Sequence, residues 1–243
     1  MKNVYLDSAA TTQMRDEVIN RMTSVMKEVY GNPSSTHSFG RSAKSLIEQA
    51  RKTVAGYLNV KASEIIFTSG GTEADNLALN SAVRDLGVKR IITSKIEHHA
   101  VLYTVEQLQD CFDVEVVYVD LDSCGNVKET HLEELLKTSE KKTLVSLMHV
   151  NNEIGNKLDI KKVGQLCKEH GAIFHSDCVQ SVGHYDLDFN EIPVDFTAVS
   201  AHKFHGPKGV GFAFIRKNSR LKPLIFGGEQ ERGHRAGTKG VHN

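Results

Sequence analysis

Two strings carry the residues best suited to covalent chemistry. The first is Ser200-Ala201-His202-Lys203-Phe204-His205-Gly206-Pro207-Lys208-Gly209, which follows an apolar run. A lysine amine in a partly desolvated, cation-lined pocket loses basicity and becomes a nucleophile for an aldehyde. Ser200 and His202, alternating in direction with Lys203, could hold an anionic group beside it, and Gly206-Pro207 forces a turn. A loop lysine is more commonly a solvated charge, so the surrounding donors give Lys203 its interest. The second string is His175-Ser176-Asp177-Cys178-Val179-Gln180. An aspartate closing a buried strand is costly to ionise unless a cation meets it. A helix N-cap is the other ordinary use of such a residue.

A protonated pyridine nitrogen is one cation that Asp177 could meet, and pyridoxal enzymes place a carboxylate there to strengthen the electron sink. Gln180, three residues on, can reach the same ring. Thr68-Ser69-Gly70-Gly71-Thr72-Glu73 lies between a strand and a helix expected from Glu73 to Leu86. Glycines such as Gly71 admit a close backbone approach, and free N–H groups at a helix start attract an anion. Thr72 could add its hydroxyl to a phosphate, or serve as the N-cap of an ordinary turn. The lysine of a nucleoside-triphosphate loop is missing from this string. Glu97-His98-His99 follows another strand, where a ring could stack on a flat cofactor or move protons, or simply cap a helix. Adjacent side chains do not converge on one metal ion, and we expect no metal. Asn151 and Asn152 in His149-Val150-Asn151-Asn152-Glu153-Ile154-Gly155 could form a turn or present an amide to a ring oxygen or a carboxylate.

The elements that must position these residues are legible as hydrophobic patterns. Val18, Met22, Val25, Met26 and Val29 recur at helical spacing, as do Leu46, Ile47, Ala50 and Val54, and Ile160, Val163, Leu166 and Cys167. Seven short apolar runs predict strands at Ile65–Thr68, Arg90–Thr93, Val114–Val119, Thr143–Val150, Ala172–His175, Phe196–Val199 and Gly211–Ile215. Their continuity predicts strands buried on both faces, in one α/β domain with a mostly parallel, mixed seven-stranded sheet covered by helices. In such sheets ligands sit beyond the carboxyl ends of strands, where every string above falls.

Composition narrows the function. Lysine plus arginine and aspartate plus glutamate number 30 each, so no basic excess points to nucleic acid. No apolar run approaches the roughly 20 residues that cross a bilayer, and the N-terminus has no signal-peptide pattern. The scattered Cys111, Cys124, Cys167 and Cys178 suggest a reducing cytoplasm rather than disulfides or zinc.

Taken together the strings resemble the cysteine desulfurases, a group within the class V aminotransferase family of fold-type I pyridoxal-phosphate (PLP) enzymes. The resemblance runs from Tyr5-Leu6-Asp7-Ser8-Ala9-Ala10-Thr11-Thr12 through Tyr30-Gly31-Asn32-Pro33-Ser34-Ser35 to Arg235-Ala236-Gly237-Thr238. It implies an N-terminal arm over residues 1–15 and a PLP-binding large domain over 16–243. It implies that Lys203 is the lysine bonded to PLP and that His98 stacks on the ring and helps move protons. Asp177 would partner the pyridine nitrogen and Gln180 the ring hydroxyl. Thr72, Ser200 and His202 would hold the phosphate, and Asn152 would lie near the ring oxygen and the substrate carboxylate. Thr238 would reach the phosphate in a partner subunit, which implies a homodimer.

The implied reaction converts L-cysteine to L-alanine and passes the sulfur on, as an enzyme persulfide, to iron–sulfur scaffold or tRNA-thiolation proteins. Relatives continue into a small C-terminal domain that carries the nucleophilic cysteine and a carboxylate-binding arginine. We expect that domain to be absent here, leaving a truncated form without persulfide chemistry. Where many relatives read Gly-Thr-Glu-Asn, this chain has Gly237-Thr238-Lys239-Gly240. The competing readings are a selenocysteine lyase or other class V enzyme, a non-catalytic dimerisation or docking fragment, and a nucleotide-binding domain resting on the turn after Thr68.

Overall fold

In the computed structural model, residues 3–216 and 221–243 are described. Seven strands form one sheet: β1 (Ile65–Thr68), β2 (Arg90–Thr93), β3 (Glu115–Tyr118), β4 (Thr143–Ser146), β5 (Ile173–Asp177), β6 (Phe196–Ser200) and β7 (Gly211–Ile215). The helices are α1 (Asp16–Glu28), α2 (Ser38–Tyr57), α3 (Gly71–Arg84), α4 (His99–Cys111), α5 (Glu129–Lys137) and α6 (Ile160–Glu169). Strand order is β1-β7-β6-β5-β4-β2-β3. The five strands from β6 to β3 run parallel, whereas β7 is antiparallel to both β6 and β1.

Side-chain alternation along the strands divides the core into two layers. On one face Ile92, Val145, Phe174 and Phe214 pack with Leu58, which caps α2, and with Leu132 of α5 and Val163 of α6. On the other, Ile91 and Leu144 meet Leu79 of α3 and Val105 of α4, and Phe196 and Ala198 meet Leu77 and Ala78. Each such side chain contributes about 1.5–3 kcal/mol by leaving water. The expectation of strands buried on both faces fails at β3. Among the described residues it pairs with β2 alone and stands at the sheet edge, with Glu115 exposed.

Strand ends differ from the expected ones in a way that matters for the site. The fourth run ends as a regular strand at Ser146 rather than at Val150, although the Leu147 and His149 amides still donate to the His175 and Asp177 carbonyls of β5; Asn151 then makes a turn in which its Oδ1 accepts from the amides of Glu153 and Ile154. The fifth and sixth run further than expected, so Asp177 and Ser200 are the last residues of β5 and β6. The helix expected from Glu73 begins two residues earlier, at Gly71.

Two segments wrap this core. Residues 9–15 lie against the loop after β6, where the Thr12 amide donates to the His202 carbonyl at 2.9 Å and the His205 amide to Thr12 Oγ1 at 2.7 Å. Residues 221–243 hold few regular elements and are fastened by ion pairs. Arg51 of α2 and Glu231 meet through two 2.7 Å bonds, Arg235 bonds Glu73 at 2.9 Å, and Lys239 reaches Glu231 at 2.7 Å. The apolar stripe of α1 is covered little within the chain: Val25 is buried, while Met26 and Ile19 are exposed.

Candidate active site

At the carboxyl ends of β5 and β6 lies a cavity of about 270 Å³, bounded by the start of α3 and by Ala10 of the arm. Nine of the ten residues expected to form a site line it: Gly71, Thr72, His98, Asn152, Asp177, Gln180, Ser200, His202 and Lys203. Thr238 does not. It lines a separate cavity of about 250 Å³ beside Ser69, Gly209 and Lys239. A roomier cavity of about 690 Å³ between α5 and α6 is lined mainly by exposed charged side chains and has no comparable convergence of donors around a lysine.

The local fold explains the convergence. Ser200 ends β6, and Ala201–Lys203 then form a single 3₁₀ turn. The turn replaces the alternation in direction expected of Ser200, His202 and Lys203 and lets all three reach one cavity. Gly71 begins α3 against the loop after β5. A Cβ there would stand 2.5 Å from Val179 Cγ2, so only glycine lets the helix start approach this closely. Asp177 is not a helix N-cap. It is 5% exposed, and its Oδ1 accepts from the Val179 amide at 2.9 Å in a turn. Burial, reinforced by Asp75, pushes its carboxyl up to about 7. Lys203 is half-buried, and burial lowers its amine below the usual lysine value against the pull of Asp177 and Asp7. Burial likewise lowers His202, helped by Lys203 and Lys208.

His98 serves as both a capping residue and a cavity residue. Its Nδ1 accepts from the Ala100 amide at 3.1 Å, which caps α4. An accepting ring nitrogen carries no proton, so the neutral ring carries its proton on Nε2. His99 stacks on Tyr103 at 4.9 Å and stays out of the cavity. The two asparagines also divide: Asn151 makes the turn and bonds the Ile96 carbonyl at 2.7 Å, while Asn152 lines the cavity. Cys178 packs in the core, its thiol pushed up to about 12 by burial, and no cysteine lines the cavity.

Three features escaped sequence reasoning. The carbonyls of Ala9 and Ala10 accept hydrogen bonds from Lys203 Nζ, the second at 3.0 Å, and Ala9 also accepts from Gln180 at 2.8 Å. Backbone acceptors leave no trace in a sequence. Asp75 lines the cavity while 1% exposed, and the available signal was an aspartate three residues after Thr72, on the same helix face. Glu97 joins two strand ends: its Oε1 accepts from Ser94 Oγ at 2.8 Å and from the Met148 amide at 3.1 Å.

Burial pushes the Glu97 carboxyl from its ordinary 4.5 up to about 8, with Asp177 and Asp75 adding to the rise, so it is neutral at physiological pH. A carboxyl raised on folding stabilises fully below its unfolded value, and the contribution is lost as pH climbs through the folded one. Between the two values each proton is worth about 1.4 kcal/mol per pH unit. Glu97→Gln keeps the shape and the acceptor, and is expected to flatten the loss of stability between those pH values. Urea unfolding of the cofactor-free variant across pH measures this; an unchanged slope would contradict the neutral state.

Residues 4–240 match the aminotransferase class-V family, and the chain belongs to it. It is 46% identical to the putative cysteine desulfurase IscS 1 of Bacillus subtilis (strain 168), over 99% of this chain and 63% of that protein. It is also 46% identical to the cysteine desulfurase IscS of Dictyoglomus turgidum, over 99% and 61% respectively. The fold superposes on a NifS-like protein with a TM-score of 0.95 and 42% identity, covering 99% of this chain and 66% of that one. SspA in complex with cysteine gives 0.93 and 36%, covering 99% and 70%. The chain thus spans about three fifths of the length of the curated relatives it matches.

Proposed function

We propose that this chain is the PLP-binding large domain of a cysteine desulfurase that converts L-cysteine to L-alanine and passes the sulfur on as a persulfide. The observation that carries the reading is the convergence of Lys203, Asp177 and His98 on one cavity that also holds the start of α3 and the hydroxyls of Thr72 and Ser200. That donor set fits PLP. Hydroxyls, a histidine and helix-start amides suit a phosphate, a buried carboxylate suits a pyridinium, and an amine of lowered basicity suits an aldehyde. When bound, the cofactor supplies an electron sink for the substrate α-carbon.

The chain's own residues divide the remaining work. Thr72, Ser200 and His202 hold the phosphate, and Gly71 leaves room for it. Asp177 would keep a proton on the ring nitrogen, and Gln180, which donates to the Ala9 carbonyl, would be the donor for the ring hydroxyl. Asn152 orients the ring oxygen and the substrate carboxylate. His98 covers the ring and presents its Nε2 proton. Lys203 Nζ, which donates to the carbonyls of Ala9 and Ala10, would be the amine that holds the cofactor aldehyde and the base for the substrate α-proton. The arm thereby holds the lysine at the cavity until cofactor arrives.

The sulfur acceptor in this reading is an iron–sulfur scaffold or a tRNA-thiolation protein, and the setting is the cytoplasm. No helix among the described residues is long and apolar enough to cross a membrane. Exposed Val4, Leu6, Tyr30 and Phe39 favour a homodimer, with Thr238 reaching the partner's phosphate from outside its own chain's cavity. The test is the visible spectrum of the protein mixed with PLP, followed by L-cysteine, L-selenocysteine or a keto acid. A Lys203-dependent band that responds to L-cysteine supports the reading. A band lost on adding an amino acid other than cysteine and restored by a keto acid would transfer the chain to the aminotransferases, and no band would end the PLP assignment.

A further inference from the structure

Behind Asp177 stands a second buried acid that the proposed mechanism does not use. Asp75 lies one turn into α3 and lines the same cavity. Its Oδ1 is fully enclosed and has no hydrogen-bond partner. His175 Nε2 lies 3.3 Å away and is itself unpartnered, since the pair's orientation does not suit a hydrogen bond. His175 sits two residues before Asp177 on β5, and its Nδ1 meets Ser146 Oγ at 2.9 Å. Burial lowers this imidazole to about 4, so it is neutral and offers Asp75 no countercharge.

The groups around Asp75 make ionisation of both acids unfavourable. From β5 come Asp177 and neutral His175; from the segment between β2 and α4 come Glu97, neutral through burial, and the His98 ring; from the turn after β6 comes Lys203. Two buried carboxyls thus share the His98 ring and one ammonium, itself of lowered basicity. Like charges so placed do not both ionise, and they bind a proton jointly.

We propose that Asp75 and Asp177 form a carboxyl pair that shares one proton in the cofactor-free protein and gives it to the ring nitrogen when PLP binds. The O–H bond of the pair breaks, the N–H bond of the ring forms, and two carboxylates are left facing one pyridinium. Asp75 is a positioning residue that acts through Asp177: the second negative charge makes removal of the ring proton harder. The inference rests on the PLP reading for its second half and on the cavity alone for its first.

The test is carbon-13 NMR of aspartate carboxyls across pH in cofactor-free wild type, Asp75→Asn and Asp177→Asn. We expect the proton affinity of Asp177 to fall at least tenfold in Asp75→Asn, and that of Asp75 to fall in Asp177→Asn, so either folded variant decides. An unmoved titration alongside lowered thermal stability would mean a purely structural Asp75 and would overturn the pair. On mixing with PLP at neutral pH, Asp75→Asn should take up about one proton more from solvent than wild type. Equal uptake would overturn the transfer. Failure of wild type to bind PLP would remove the cofactor reading and the transfer together, while the titration would still decide the pair.

Discussion

Replacing Arg51 by Met is expected to cost about 3 kcal/mol of unfolding free energy, the usual scale for removing one partner of a buried ion pair. Arg51 is 1% exposed. It gives two bonds to Glu231, one to the Ile65 carbonyl at 2.7 Å and one to Glu48 at 3.1 Å, and its guanidinium lies 4.6 Å from the Phe67 ring centre. Burial alone would lower its basicity, but the bonds and charge of Glu231 raise it above the usual value. Glu231 in turn accepts from the Phe67 amide at 2.9 Å, so the pair ties the C-terminal segment to β1. Lys239 remains to meet Glu231, which keeps the cost near the lower end of the range.

Urea unfolding of Arg51→Met, Glu231→Gln and the double variant measures the coupling, and the double should lose clearly less than the two singles added. A loss below about 1 kcal/mol for Arg51→Met would contradict the account. The pH dependence has a definite sign. Burial raises the Glu231 carboxyl, but its bonds to Arg51 and Lys239 win and hold it below the ordinary 4.5. Its stabilisation is therefore complete above that value and is lost as pH falls through the folded one.

Asp177→Asn is expected to move stability and chemistry in opposite directions. Its carboxyl rises on folding from 3.8 to about 7, so the charged form penalises the cofactor-free fold increasingly as pH climbs between those values. The amide removes that penalty, and at pH above 7 the variant should be more stable by on the order of 4 kcal/mol. Chemistry should suffer, because an amide does not hold a proton on a ring nitrogen. With PLP bound, exchange of the substrate α-hydrogen with deuterated solvent should slow by about 100-fold, comparable to losing one well-placed electrostatic partner. A variant that exchanges at the wild-type rate would show that Asp177 does not serve the ring. A variant slower in exchange but also less stable would mean that its role is chiefly packing.

The fold was legible where burial is symmetric. Runs such as Ile91-Ile92-Thr93 and Phe196-Thr197-Ala198-Val199 are apolar or β-branched because helices cover both faces, and both strands start where they were read. Strand ends were less legible, because a chain can go on bonding its neighbour after its regular strand geometry lapses. The fourth run does so through the amides of Leu147 and His149, and the antiparallel setting of β7 depends on contacts with β1 and β6 that no local pattern encodes. In the site, the residues with distinctive chemistry were visible as strings after strands, and nine of them meet in one cavity. Asp75 was hidden inside a helical pattern, where an aspartate usually faces water. The arm carbonyls were hidden because every residue has one. Lys239, read only as a departure from relatives, is the lysine that meets buried Glu231.

The most direct test of the central claim is to mix the protein with PLP, trap the adduct with borohydride and map it by peptide mass spectrometry. The account predicts the label on Lys203 alone, lost in Lys203→Ala with no transfer to neighbouring Lys208. Label on another lysine, or none on a protein shown to be folded, would contradict it.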